Sequence, residues 1–515
     1  MSELSSAILD EIKKRGIFSE YLPSSFKVDI SVRDIYNLGA SYRDTIKPYS
    51  YTMSRYGKKG DRRKISIPEI SAYVSLIEYL KNTDTILDDM VDLAVNDINS
   101  FSRIVNSENQ IVVDDGGYSD LVLLSGGIGN SVLHEEDIKH KAFLKNMIKK
   151  ISMTKGACGI LHIDISEFYK SIYTHAISSI KIGIEKAQEA YETRSGDPDY
   201  QKYTILDKRV RVLNNNKTNG LLIGPYISKL ISESVLANVD SELRNQNLVF
   251  TRYADDYEFA IYNIEEIEKT KSIVTDVFDK YFLRINNEKT KFEEYPFYVF
   301  SNFEKVIGNI KSMDAFEVVE LFNAFWELEK KGEKGAIRYL LKAYQEHYEV
   351  EDKEVYTDYL INILCNDEKA LGLACEIIIK EYENDRIKVE SSTYEVILKK
   401  LNKEISYEHE FEAIWLVYLL RYIKFDFTKE LIEKIFESKF ELIKVLMISE
   451  FDTDKIPLSK LKEEYEKATS WIYLYELARR LKKKDEYYSK FKIKNNKDFY
   501  DKLFEMDFSF YHKRS

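Results

Sequence analysis

Apolar residues in the second half of the chain recur at i, i+3, i+4 and i+7, as in Val318, Leu321, Phe322 and Phe325, or Phe411, Ile414, Trp415 and Tyr418. That spacing puts each set on one face of a helix, and each such stripe needs a neighbour to bury it. Polar breaks near Asn366-Asp367, Asn384-Asp385 and Asp452 to Asp454 separate the helices, and Ser392 with Glu395 reads as a capping box. Glycine and proline nearly vanish here: after Gly335 only Gly372 remains, and after Pro296 only Pro457. The pattern predicts an all-α domain over 311–515, a stack of helical hairpins of degenerate HEAT-like type, with an irregular helical bundle as the alternative.

Residues 1–310 follow a different rhythm. Short β-type runs at Ile160 to Ile165, Leu248 to Tyr253 and Tyr257 to Tyr262 are interleaved with helical stretches, which predicts an α+β unit. A chain of 515 residues exceeds what one core normally serves, so two domains, 1–310 and 311–515, are the expectation. The start, MSELSSAILDEIKKRG, lacks the apolar core of a signal peptide, and no run is long enough to cross a bilayer. Cys158, Cys365 and Cys375 are scattered, without disulfide or zinc spacing. A cytoplasmic protein with no membrane partner is expected.

The net charge of −11 argues against a protein that coats nucleic acid along its whole surface. Basic residues do cluster at Lys58, Lys59, Arg62, Arg63 and Lys64, and again at Arg479, Arg480, Lys482, Lys483 and Lys484; the second cluster reads as a solvated helix end.

Chemistry concentrates in two strands. GILHIDI carries Asp164 near a strand end, with Tyr169 five positions later, and VFTRYADDYEFAIY reads as strand, tight turn, strand with Asp255 and Asp256 at the tip. Carboxylates brought so close repel one another. Hard divalent cations, Mg²⁺ or Mn²⁺, remove that cost and bridge protein to triphosphate oxygens. Two such ions ~3.5–4 Å apart suit an in-line displacement that expels pyrophosphate. Between the strands, Gly220 to Pro225 supplies glycines that let backbone approach a substrate closely, and Asn286 to Lys291 places Lys289 in a polar turn where it can neutralise departing pyrophosphate. Other chemistries lack their partners. The run SGGIGNS at Ser125 to Ser131 has neither a P-loop lysine nor a full dinucleotide fingerprint, and His162 and His175 read as structural histidines.

In order and spacing these segments resemble reverse transcriptases, with Asp164 in motif A, Gly220 to Pro225 in motif B, Tyr253 to Asp256 in motif C and Lys289 in motif D. RRKISIP at Arg62 to Pro68 is similar to the fingers segment of that superfamily. The resemblance implies a fingers-palm domain. It also implies that Asp164, Asp255 and the Ile165 carbonyl bind metal, with Asp256 supporting them. Arg63, with Lys59 second, would hold the incoming triphosphate. Gly224 would lie beside the nucleotide, and Tyr169 would sit under the sugar and select dNTPs. Within the superfamily, DISEFYKSIYTH and the helical second half resemble bacterial abortive-infection (Abi) reverse transcriptases, whose palm is joined to helical repeats. That likeness implies a phage-defence, homo-oligomeric enzyme that makes single-stranded DNA without template, primed from a tyrosine and left covalently attached to it. One departure accompanies this: Ile223 stands where templated relatives place glutamine. Tyr36, Tyr42, Tyr49, Tyr51 and Tyr56 precede the fingers segment, and no sequence rule chooses a primer among them. Two other functions remain open, a conventional RNA-templated reverse transcriptase and a nucleotide- or nucleic-acid-binding helical scaffold without polymerase activity.

Overall fold

The computed structural model describes residues 1–28, 34–54, 62–83, 85–102, 148–297, 314–331, 335–347 and 351–514. Lys58, Lys59, Tyr56, the run SGGIGNS and the expected domain boundary near residue 310 lie outside the described residues.

Among the described residues, six strands form two sheets. β1 (Tyr49–Ser54) and β2 (Arg62–Ile67) pair antiparallel, Tyr49 opposite Ile67 and Ser54 opposite Arg62. β3 (Gly159–Asp164), β4 (Phe250–Tyr253), β5 (Asp256–Ile261) and β6 (Lys291–Glu294) make an antiparallel sheet in the order β4-β5-β3-β6. The three strand expectations hold to within two residues at each end.

Register decides what each face of that sheet does. Leu161 lies opposite Phe259 and Ile163 opposite Tyr257, whereas His162 lies opposite Glu258 and Asp164 opposite Asp256. Because side chains alternate along a strand, one face is apolar and the other polar. The apolar face packs on helices Tyr226–Asn245 and Ile267–Lys280, with the Tyr257 ring 5.4 Å from Phe278. The polar face bears Asp164 and Asp256.

The second half is a run of helices. Leu371–Glu383, Glu410–Tyr422, Glu441–Glu450 and Trp471–Leu481 stack on one another as an inner layer. The helices that alternate with them, such as Ser391–Ser406 and Leu458–Lys467, are amphipathic and lie outside. All ten residues of Glu441–Glu450 are buried. A helix buried around its whole circumference has to be covered on every side, and the far side here is the N-terminal half. The Trp415 indole N–H donates to the Tyr21 carbonyl (2.9 Å), Tyr51 stacks on Phe411, and Tyr500 hydrogen-bonds Glu69. The stripes at Val318, Leu321, Phe322 and Phe325 and at Phe411, Ile414, Trp415 and Tyr418 are all buried. The capping box sits elsewhere than expected: Ser391–Ser406 starts two residues earlier, with Glu390 at the N-cap and its N–H donating to the Thr393 hydroxyl (3.5 Å). Glu390 caps with a carboxylate where the hydroxyl of Ser392 was expected to cap, and Thr393 takes the place expected for Glu395.

The join between the halves carries a titratable group. Glu410 accepts from the Tyr49 hydroxyl (2.7 Å) and the Leu442 N–H (2.9 Å), with Glu441 nearby. Burial, reinforced by Glu441, pushes its carboxyl up from 4.5 to about 7. Between those values the folded chain holds a proton that the unfolded chain releases. Stability therefore falls as pH rises from 4.5 to 7, and the full loss persists above 7. Glu410→Gln is expected to remove this dependence. Relative to wild type, its stability should improve by on the order of 2 kcal/mol between pH 5 and pH 8, read from denaturant melts at both values.

Candidate active site

The two-residue loop Ala254-Asp255 joins β4 to β5, with Tyr253 paired to Asp256. Ala254 has φ 49°, the sign that both primed hairpin turns require at their first central position. A left-handed alanine is strained and needs outside support. That support comes from Arg252, whose guanidinium donates to the Ala254 carbonyl (3.1 Å). Arg252 is fully buried and pairs with Asp240 (2.6 Å), Glu233 (2.9 Å) and Asp97 (3.3 Å). Arg244 also meets Asp97 (2.8 Å), and the Tyr257 hydroxyl donates to Asp240 (2.8 Å). Burial pushes the Asp240 carboxyl well up despite Arg252, whereas at Asp97 burial is outweighed by hydrogen bonding from Asp240 and the Arg252 charge, which hold that carboxyl down. This cluster forms a charged floor beneath the hairpin.

Asp164 ends β3 directly opposite Asp256. Asn286 N–H donates to the Asp164 carbonyl and Ser166 N–H to the Arg284 carbonyl (both 2.8 Å), which leaves Ile165 turned the other way, its N–H donating to the Asp255 carbonyl (3.1 Å). The Ile165 carbonyl therefore shares the Asp255 side of the strand. Lys289 Nζ sits 2.5 Å from Asp164 Oδ1, and Asn286 Nδ2 donates to Oδ2 at 2.9 Å.

Lost hydration comes first in setting the charge state, followed by mutual repulsion. Burial and the Asp164 charge lift Asp255 to about 6, partly offset by Lys289 and Arg63. Asp256, exposed at the cleft mouth, is lifted to about 7 by hydration lost on its inner side and by Asp255 and Asp164. Three carboxylates thus share a site with too little positive charge. Every donor is a hard oxygen, which fits Mg²⁺ or Mn²⁺ and does not fit soft metals. Residues 95–340 match the family model for reverse transcriptases, RNA-dependent DNA polymerases. This stretch is a reverse transcriptase domain. The family uses divalent metal ions, in keeping with the donor set.

The solved structures that the chain is similar to include two telomerases. Apo telomerase from Candida tropicalis is 13% identical with a TM-score of 0.32, over 81% of this chain and 69% of that one. Telomerase from Candida albicans, with a TWJ fragment of telomeric RNA, is 12% identical with a TM-score of 0.28, over 79% and 64%. The chain spans about two thirds of their length. No curated protein matches it.

The remaining expected residues are spread around this reverse transcriptase centre. Arg63 and Arg62 are adjacent on β2 and point to opposite sides. The charge of Arg63 reaches Asp255, whereas Arg62 binds Glu412 (2.5 Å) and the Thr52 carbonyl (2.9 Å) at the join with the helices. Tyr169 is half-buried, its ring 5.1 Å from Phe168 and its carbonyl accepting from Leu221 N–H (2.7 Å), so the motif A segment and the 220–225 loop are tied together. Gly224 has φ 130°, and a Cβ there would lie 2.6 Å from the Ser66 carbonyl oxygen. Its role in the fold is to let the loop press against β2, where Ser66 N–H donates to the Ile223 carbonyl (2.8 Å). Gly224→Ala should push β2 off the loop and cost roughly 1–3 kcal/mol in a thermal melt.

Two contributors escaped the sequence reading, Asn286 and Arg252. Asn286 was visible only as a polar neighbour of Lys289. Arg252 carried a usable signal, because an arginine inside an apolar strand must find buried carboxylates. His162 lies 3.2 Å from Glu293 and His175 3.1 Å from Asp207, away from the three aspartates. In the basic run at 479–484, Arg479 pairs with Glu476 and Asp507, and Lys484 with Asp501. Of the tyrosines upstream of the fingers, Tyr36 is buried and donates to the Lys13 carbonyl (2.9 Å), Tyr51 is buried, and Tyr49 is engaged by Glu410. Tyr42 is half-buried beneath Arg209. Among the described residues, no helix is long and apolar enough to cross a membrane.

Proposed function

We propose that the chain is a DNA polymerase of the reverse transcriptase superfamily that extends DNA from dNTPs without a template, primed by one of its own tyrosines, in cytoplasmic defence of a bacterium against phage. The observation that carries the polymerase part is the convergence of Asp164, Asp255 and Asp256 at two adjacent strand ends beside Lys289. Asp164, Asp255 and the Ile165 carbonyl would hold the two ions, and Asp256 would add field at the mouth. When bound, the ions would lower the pKa of the attacking hydroxyl and offset charge on the leaving pyrophosphate. Arg63, whose charge acts on Asp255 from β2, would hold triphosphate oxygens by charge-assisted hydrogen bonds. Tyr169, pinned by the 220–225 loop, shapes the floor beneath the sugar and disfavours a 2′-hydroxyl.

The half-buried, apolar side chain of Ile223 supports untemplated synthesis, since it offers no polar contact to a template strand. The defence role, tyrosine priming and homo-oligomer follow from the likeness to the Abi group. With Tyr36, Tyr49 and Tyr51 engaged in the fold, a primer is to be sought among other tyrosines.

The test incubates nuclease-treated protein with Mg²⁺ and each labelled dNTP or NTP, without template or primer, and resolves products before and after protease. Label that migrates with protein and collapses to free DNA on proteolysis supports the proposal. Extension only after an annealed RNA template and primer are supplied would assign a conventional reverse transcriptase. Nucleotide binding without incorporation in either format would assign a scaffold.

A further inference from the structure

One short turn holds Asp164 by both carboxylate oxygens. Asn286 Nδ2 donates to Oδ2 (2.9 Å), Lys289 Nζ lies on Oδ1 (2.5 Å), and the Asn286 N–H binds the Asp164 carbonyl (2.8 Å). The turn closes on the Asn286 carbonyl, which accepts from Lys289 N–H (3.2 Å), Thr290 N–H (3.1 Å) and the Thr290 hydroxyl (2.9 Å).

The two partners of Asp164 differ in kind. Asn286 is neutral, with a short side chain on backbone fixed at both N–H and carbonyl. It can keep Oδ2 whether or not a cation is present. Lys289 is a compact positive charge on a flexible stem, with its side chain half exposed. It competes for Oδ1 with any divalent ion, by occupancy and by repulsion. Its charge also acts on Asp255 and Asp256.

We propose that Lys289 is a place-holding cation. It pairs with Asp164 before metal arrives and is released when a divalent ion takes Oδ1, leaving its ammonium free to face the substrate's phosphates. Asn286 is the positioning residue that keeps Oδ2 fixed in both states. Metal loading and readiness of the lysine are then one event, so the cation that meets the leaving group is offered only once the site is charged. This inference rests on the polymerase reading of the three aspartates.

The experiment titrates Mn²⁺ into the full chain without nucleotide and follows free Mn²⁺ by electron paramagnetic resonance and protein stability by thermal shift. Lys289→Met should bind Mn²⁺ roughly three- to tenfold more tightly than wild type, although it loses polymerase activity. Lys289→Arg, which keeps the charge, should not gain affinity. Asn286→Ala should bind roughly 10- to 100-fold more weakly, as expected when a group orienting a metal ligand is removed. Melts without metal check that each variant folds, and Lys289→Gln replaces Lys289→Met if that variant does not. Unchanged or weaker Mn²⁺ binding in the charge-removed variant overturns the place-holding role while leaving the polymerase reading intact. Unchanged binding in Asn286→Ala overturns its positioning role. A wild-type chain that binds no Mn²⁺ overturns the polymerase reading itself, and the inference with it.

Discussion

Asp255→Asn should abolish nucleotide incorporation and at the same time stabilise the metal-free protein. A lost metal-bearing carboxylate removes several kcal/mol of transition-state stabilisation, on the order of 10³-fold in rate. The stability gain follows from the raised carboxyl. Asp255 sits at about 6 against an ordinary 3.8, so the folded chain holds an extra proton between those values. Wild-type stability therefore falls as pH rises from 3.8 to 6, and above 6 the ionised group is a standing cost that asparagine lacks. The expected result at pH 8 without metal is a higher melting temperature for the variant. Added Mg²⁺ should raise the melting temperature of wild type more than that of Asp255→Asn. Retained incorporation, or a variant less stable than wild type at pH 8, would count against the assignment.

Arg252→Leu should be the most damaging single change for the fold. Arg252 is the common partner of Asp97, Glu233 and Asp240 and the donor to the Ala254 carbonyl. Removing one partner from a buried charged cluster leaves the others uncompensated and costs about 3–5 kcal/mol. The strained Ala254 turn would also lose its brace, so incorporation should fall even at temperatures where the variant stays folded. Replacing Glu233 by Gln and Asp97 by Asn in the same background neutralises two of the three stranded carboxylates and should recover part of the stability without recovering activity. Chemical denaturation and dNTP incorporation, measured on the single and triple variants, separate the two effects. A single variant within 1 kcal/mol of wild type would show that the floor beneath the hairpin is not what holds it.

Much of the architecture could be read from periodicity. Alternation at 257–262 and spacing of three and four at 318–325 and 411–418 each point to one element and one buried face, because 2.0 and 3.6 residues per repeat are properties of the backbone alone. Those positions are buried in the fold. A short turn between two apolar runs also put Asp255 and Asp256 at a hairpin tip. Caps were less legible, as the start at Ser391 shows: Ser, Thr and Glu within a few residues offer several N-caps of similar strength, and packing of the helix selects one.

By itself, then, the sequence determined the elements, the apolar faces, and the order in which Asp164, Gly224, Asp255 and Lys289 occur along the chain. Tertiary structure alone decided which groups meet. Register set Asp164 opposite Asp256 rather than one residue away, where its side chain would lie on the other face of the sheet. Long-range closure brought Asn286 and Lys289 onto Asp164, gathered Glu233 and Asp240 from one helix and Asp97 from beyond another around Arg252, and turned Arg62 to the helices but Arg63 to the site. Local pattern cannot encode such pairs, because their energies depend on burial and distance between residues tens to hundreds of positions apart.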